Sequence, residues 1–117
     1  MAIISSGSTP PIAITMGDPA GIGPEILVRT MLAADAAFMS TPWILVGTGW
    51  SLQKAADCLS RSLPPINAIV SPEDALPGWN IVDLGISEPE DFRFGHVQSG
   101  CGELAVQAVE WLSLIHI

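Results

Sequence analysis

The sequence predicts an α/β fold with a mostly parallel sheet and flanking helices. Short apolar runs alternate along it with segments whose apolar residues recur at helical spacing. The first run, Pro11 to Met16, is apolar on both faces, as a strand covered on two sides must be. That run breaks straight into a turn rich in glycine, proline and carboxylates, after which an amphipathic pattern begins. Strand, tight loop and helix N-terminus therefore follow one another within residues 12–26.

Residues 1–10, rich in Ser, Gly and Pro and without a positive targeting segment, read as a disordered leader. Residues 11–112 form one α/β unit, with Pro11 to Met16 as its central first strand. Pro24 sits where the first turn of a helix tolerates a missing N–H, and Glu25 suits the dipole there. Ile26, Leu27, Thr30, Met31 and Ala34 keep helical spacing, and the helix should fade before Ser40-Thr41-Pro42. Trp43 to Val46 is a second buried strand, closed by Gly47-Thr48-Gly49. Ser51 to Leu63 reads as a helix with Leu52, Ala55, Ala56 and Leu59 on one side, stopped by Pro64-Pro65. Ile66 to Val70 is a third strand, Ser71 to Asp74 a loop or short helical turn, and Trp79 to Leu84 a fourth strand. Gly85 to Phe94 is polar and irregular, and Ser99 to Leu112 has good helix formers.

Composition narrows the function. At 117 residues, 49% hydrophobic and 14% charged, the chain can bury a real core. Its net charge of −8 sets twelve acids against Arg29, Lys54, Arg61 and Arg93. Four scattered cations build no phosphate-tracking patch, so nucleic acid is not an expected partner, and an acidic surface suits anionic membranes poorly. The uncharged span from Ala36 to Gln53 is long enough to cross a bilayer. Ser40, Thr41, Pro42, Gly47 and Gly49 interrupt it, so it reads as loop, strand and loop. Cys58 and Cys101 are too few for a disulfide framework and read as reduced, partly buried thiols. A soluble, cytoplasmic protein is expected.

The chemistry concentrates in Ile12-Ala13-Ile14-Thr15-Met16-Gly17-Asp18-Pro19-Ala20-Gly21-Ile22-Gly23-Pro24-Glu25-Ile26. Glycines let the backbone turn and approach a ligand, and a helix start offers unpaired amides that suit a phosphate or another anion. This run resembles the N-terminal signature of the 4-hydroxythreonine-4-phosphate dehydrogenase family and its phosphothreonate-type relatives. It is also similar to the Gly-Asp-Gly-Ile-Gly-Pro-Glu turn of isopropylmalate and isocitrate dehydrogenases, with two residues inserted after the aspartate. Gly47-Thr48-Gly49 and Gly95 to Ala105 fall in the order the family places them. The resemblance implies a sheet of isopropylmalate dehydrogenase type and oxidation, with decarboxylation, of a phosphorylated hydroxy acid such as 4-phosphooxy-L-threonine in pyridoxal phosphate biosynthesis. It implies NAD or NADP, a divalent metal (Zn, Mg or Co) and a homodimer. On that similarity Asp18, Gly21, Ile22 and Gly23 are the cofactor-binding candidates, with Ile22 and its flanking glycines on the adenosine side.

Plainer readings stand beside these. The glycine loop is equally a tight connection between strand and helix, and Asp18 and Glu25 are better suited to bonding loop amides and capping the helix than to proton transfer. Gly47-Thr48-Gly49 lacks the third glycine of a Rossmann turn, Leu52 standing in its place. His96 and His116 do not make a metal site, which needs three or four ligands. Cys101, between two glycines, qualifies as an exposed nucleophile but has no base nearby, and helix-start packing explains it better. Glu88-Pro89-Glu90-Asp91 reads as a solvated patch, and the four tryptophans as packing residues. The family's metal ligands and catalytic residues have no counterpart here, so no catalytic or metal-binding residue is assigned. Residues 113–117 depart from the family pattern and read as a non-native tail. The expectation is an N-terminal fragment, inactive alone, with exposed apolar edges. Its alternatives are a non-catalytic phosphate- or nucleotide-binding module and one half of a split protein.

Overall fold

A computed structural model describes residues 9–96 and 99–115. The expected leader lies outside them up to residue 8. Four strands, β1 (Ile12–Thr15), β2 (Pro42–Gly47), β3 (Asn67–Ala68) and β4 (Gly78–Asp83), form one sheet in the order β1-β2-β4-β3. All three pairings are parallel, with Thr15 opposite Val46, Leu45 opposite Ile81 and Ala68 opposite Ile81. Helices α1 (Gly23–Ala33), α2 (Gly49–Cys58) and α3 (Ser99–Ile115) complete the layer.

Alternation along the central strands divides the core. Leu45, Trp79 and Ile81 join Leu27, Val28 and Met31 of α1 and Leu52, Ala55 and Ala56 of α2 in one cluster. Ile44, Val46 and Val82 face the other way, onto Ala108, Trp111 and Leu112 of α3. The sheet is thus a middle layer, as two-sided apolar strands require. Phe38 stacks on Trp43 with ring centroids 4.4 Å apart, and both lean on Trp79, so these tryptophans do pack the core.

Several boundaries differ from expectation, for physical reasons. The first strand is not central: β1 is an edge of the sheet among the described residues, with Ile12 46% exposed. The helix from Pro24 ends at Ala33, and a separate 3₁₀ turn, Phe38–Ser40, follows. Its entry is fixed by Asp35, whose Oδ1 accepts the Phe38 N–H at 2.8 Å.

Helix α2 starts at Gly49 and stops at Cys58, well before Pro64-Pro65. Ser60 turns left-handed (φ 54°), so the Ser60 N–H donates to Asp57 O and the Arg61 N–H to Ala56 O. That is a Schellman closure, with a serine where glycine is usual. The third strand shrinks to Asn67–Ala68, both exposed, with one further bond from the Ile69 N–H to Ile81 O. Pro64 and Pro65 offer no N–H to lengthen it. Pro72–Asp74 is the expected short helical turn, and α3 runs three residues past Leu112. No helix among the described residues is long and apolar enough to cross a membrane.

Candidate functional site

Ligands of open α/β sheets sit beyond the carboxyl ends of the strands. Three loops meet there: the glycine loop after β1, Gly47-Thr48-Gly49 after β2, and residues 84–95 after β4.

The glycine loop is built on close approach. Gly17 has φ +72°, which an L side chain adopts at a cost. The Asp18 carboxylate folds back within the loop, its Oδ1 accepting the Ala20 N–H at 2.8 Å, while Asp18 O accepts the Gly21 N–H at 2.9 Å. Gly23 lies hard against the Met16 carbonyl, where a Cβ would overlap the oxygen. Asp18 therefore bonds a loop amide as expected but does not cap the helix: α1 is preceded by Ile22, with no side-chain cap. Glu25 pairs with Arg29 at 3.1 Å on the helix surface.

The second loop is held by a residue the sequence reading missed. Asp83, at the end of β4, accepts the Gly49 N–H on Oδ2 (3.0 Å) and the Gly85 N–H on Oδ1 (2.9 Å). One carboxylate thus satisfies an orphan amide at the start of α2 and fixes the next turn. An acid near the end of a predicted strand, two residues before a glycine, was the available signal. Thr48 and Ser51, both fully buried, bond each other at 3.0 Å. Gly47-Thr48-Gly49 is therefore a strand-to-helix turn, as its missing third glycine suggested.

The third loop is tied down along α2. The Trp50 Nε1–H donates to Ile86 O at 2.8 Å, and Lys54 Nζ meets Glu88 Oε2 at 2.8 Å. The Glu88 hydrogen bond, ahead of its charge, raises the pKa of the Lys54 ammonium. The acidic run is thus partly paired instead of simply solvated. Phe92 stands edge-on to Trp50 and Phe94 edge-on to Phe92, and the Gly95 N–H donates to Ala20 O at 2.6 Å.

These ties leave a cleft of about 350 Å³ beside the glycine loop. Gly21, Ile22 and Glu25 line it on one side, Ala55 and Cys58 of α2 on another, and Phe94 closes it. Of the four cofactor candidates, Gly21 and Ile22 face this space, Ile22 being 75% exposed. Asp18 and Gly23 shape the loop behind it. A second cleft of about 410 Å³, between Arg29 and Arg61, lies at the C-terminal ends of α1 and α2, away from the strand ends.

Cys101 packs at the helix start, as expected, and is 1% exposed. Burial pushes its thiol pKa up, the Asp18 charge adds to this, and a hydrogen bond from the Ala20 backbone pulls part of the way back. It is no exposed nucleophile. Cys58 is the exposed thiol. Alkylation of the folded chain, mapped by mass spectrometry, should label Cys58 quickly and Cys101 only on unfolding. The folded chain keeps the Cys101 proton where the unfolded thiol has lost it. Stability should therefore fall as pH rises through the ordinary thiol range, and Cys101→Ala should flatten that fall.

Among the described residues no group of three or more His, Cys, Asp or Glu side chains is arranged to hold a metal ion. His96 is exposed in its loop, and His116 lies outside the described residues. The divalent metal implied by the resemblance therefore does not fit the side chains described here. The glycine-loop cleft is concave, largely apolar and beside the loop that follows β1.

No family model matches the chain. It is 32% identical over 102 residues to the D-threonate 4-phosphate dehydrogenase of Pectobacterium atrosepticum, covering 85% of this chain and 31% of that protein. It is 34% identical over 104 residues to the D-threonate 4-phosphate dehydrogenase of Cupriavidus necator, covering 86% and 30%. Its fold overlays the crystal structure of 4-hydroxythreonine-4-phosphate dehydrogenase from Klebsiella pneumoniae with a TM-score of 0.75 and 33% identity, over 92% of this chain and 33% of that one. The corresponding enzyme from Burkholderia phymatum gives a TM-score of 0.74 at 28% identity, over 89% and 32%. The chain spans about a third of the length of these relatives.

Proposed function

We propose that the chain is part of a 4-hydroxythreonine-4-phosphate dehydrogenase-like protein and takes part in an NAD(P)-dependent oxidation of a phosphorylated hydroxy acid. The observation that carries this is sequence identity of about a third to enzymes named for that chemistry, over most of the chain. The substrate class is a four-carbon hydroxy acid 4-phosphate, of which 4-phosphooxy-L-threonine and D-threonate 4-phosphate are the two candidates. Bound NAD(P) would supply the hydride acceptor for the carbon of the secondary alcohol, the hydroxyl proton would leave to solvent, and the β-keto acid formed would lose carbon dioxide. Pyridoxal phosphate biosynthesis, a homodimer and the cytoplasm belong to the same proposal.

This chain's own share is to bind and orient. Gly21, Ile22 and Phe94 hold one end of the cofactor at the strand ends, while Asp18, Asp83 and the Gly95–Ala20 hydrogen bond fix the loops that carry them. No step is assigned to a metal here. A non-catalytic nucleotide-binding module is the second reading, favoured by the engagement of the acids nearest the cleft: Asp18 is bonded to Ala20 and Glu25 to Arg29.

The test is to purify residues 1–117 and follow NAD by calorimetry and NADH formation by absorbance with both phosphorylated substrates. Saturable NAD binding without turnover is expected. Turnover by this chain would refute its assignment as a binding and orienting part, and absence of NAD binding would refute the cofactor cleft.

A further inference from the structure

Away from the strand ends, an acidic molecule gathers positive charge in one place. The chain carries four Lys and Arg residues against twelve acids. Lys54 and Arg93 share a small cleft with Asp57, and Lys54 is bonded to Glu88. Arg29 and Arg61 differ. They come from separate elements to line one cleft of about 410 Å³, and no acid is among the other lining residues, Leu32, Ala33 and Leu59. Leu32 and Leu59 also pack against the core cluster of α1 and α2, so the floor between the arginines is apolar and fixed.

Neither arginine holds the fold together. Arg29 meets Glu25 through Nε alone, at 3.1 Å, with both side chains more than half exposed, and such a pair contributes little to stability. Its two Nη nitrogens remain for another carboxylate. Arg61 follows the left-handed Ser60, and its N–H closes α2 on Ala56 O, which roots the side chain beside Leu59. The Arg61 guanidinium has no partner among the described residues. Helix capping does not account for it, because the carbonyls of Ala55, Ala56 and Asp57 already accept the N–H groups of Leu59, Ser60 and Arg61.

Two guanidinium groups beside an apolar floor narrow the choice of occupant. A bare anion such as phosphate would meet exposed arginines in high dielectric, where one ion pair is weak, and would leave the floor wet. Nucleic acid needs a track of cations, which a chain of net charge −8 lacks. A purely apolar group would leave both arginines unused. A peptide with carboxylates on either side of an aliphatic side chain satisfies all of the lining. Arginine pairs with carboxylate in fork geometry, and the aliphatic group covers Leu32 and Leu59.

We propose that the cleft between the C-terminal ends of α1 and α2 docks an acidic peptide segment of a partner protein, with Arg29 and Arg61 each taking a carboxylate and Leu32, Ala33 and Leu59 receiving the aliphatic side chain between them. This surface shares no lining residue with the glycine-loop cleft, so it stands or falls apart from the cofactor reading. The contact is small and its arginines are exposed, which makes the complex transient, with a Kd on the order of 100 μM for an isolated peptide.

Titration calorimetry of the 117-residue chain with the acetylated, amidated peptide Glu-Glu-Leu-Leu-Glu-Glu tests this. Saturable binding is expected, weakened roughly tenfold by Arg61→Gln and by Arg29→Gln. Both positions are exposed, so the urea midpoint should not move. Ala33→Glu, also exposed, sets a like charge on the floor and should abolish binding, which covers a failure to fold in either arginine variant. Peptides with glycine for leucine, or glutamine for glutamate, should each bind roughly tenfold more weakly. Equal binding by the glycine peptide would reduce the cleft to a charge effect and overturn the proposal. Absence of binding to the unaltered chain would also overturn it, as would unchanged binding in all three variants. Self-association in sedimentation that Arg61→Gln abolishes would overturn the separate partner in favour of a second copy of this chain.

Discussion

Asn80→Ala should lower the unfolding free energy by about 2–4 kcal/mol, a large share of what a domain of this size holds. Asn80 is fully buried in β4, level with Ile44 in β2 and Asn67 in β3. Its amide makes four bonds. Oδ1 accepts the Leu76 N–H at 3.0 Å, and Nδ2 donates to Leu76 O (2.7 Å), Trp43 O (3.0 Å) and Gly78 O (3.3 Å). The side chain thereby fastens the turn that launches β4 to the start of β2. Alanine keeps the strand but leaves this turn without its fastening, and each buried polar group left unpaired costs about 1–3 kcal/mol.

Asn80→Asp should be worse still. It exchanges the donor for a second acceptor facing three carbonyl oxygens, and it buries a charge with no cation beside it. Urea unfolding checks both variants. The midpoint should fall while the slope stays constant, because the surface exposed on unfolding does not change. A shift in the alanine variant of less than about 0.5 kcal/mol, the ordinary size of a surface substitution, would mean that the four bonds do not hold the turn.

Asn80 also marks where sequence reading stops. Nothing local identifies it among apolar neighbours in Trp79-Asn80-Ile81-Val82, because its partners are set by how the chain folds back on itself. What was legible was local. Apolar runs bounded by Gly and Pro gave the order of strands and helices, and the glycine signature pointed to the dehydrogenases that the chain is similar to.

What was not legible depended on distant contacts. Two-sided apolarity says that β1 is covered, not that β2 is its sole strand neighbour among the described residues. Ser60 ends α2 in a conformation normally signalled by glycine, so the double proline looked like the stop. Cys101 reads as a helix-start packing residue, but that it packs beside the loop carrying Asp18 and Ala20 is set by the fold. Asp83 reaches Gly49 across a separation of 34 residues.

The two ends of the glycine loop should respond very differently to the same change, and that contrast tests whether its glycines serve the turn or the packing. At Gly17 a Cβ meets nothing within 4 Å, so Gly17→Ala bears only the cost of a left-handed backbone, about 1 kcal/mol. At Gly23 the backbone angle is ordinary, but the Cβ would overlap the Met16 carbonyl oxygen, and that carbonyl belongs to backbone, not to the movable end of a side chain. The Met16 N–H is itself bonded to Val46 O, so the end of β1 cannot retreat without breaking the ladder to β2. Gly23→Ala should therefore cost about 3 kcal/mol or more, at the upper end of what overpacking does.

It should also act on the cleft, since α1 can relieve the overlap only by moving away from β1, taking Ile22 and Glu25 with it. The expected result is a sharply lowered melting midpoint together with faster Cys58 alkylation in whatever folded chain remains, against near-normal labelling in Gly17→Ala. If both variants melted alike, the glycines would be serving only the turn. The close approach of α1 to the end of β1 would then not be what positions Ile22.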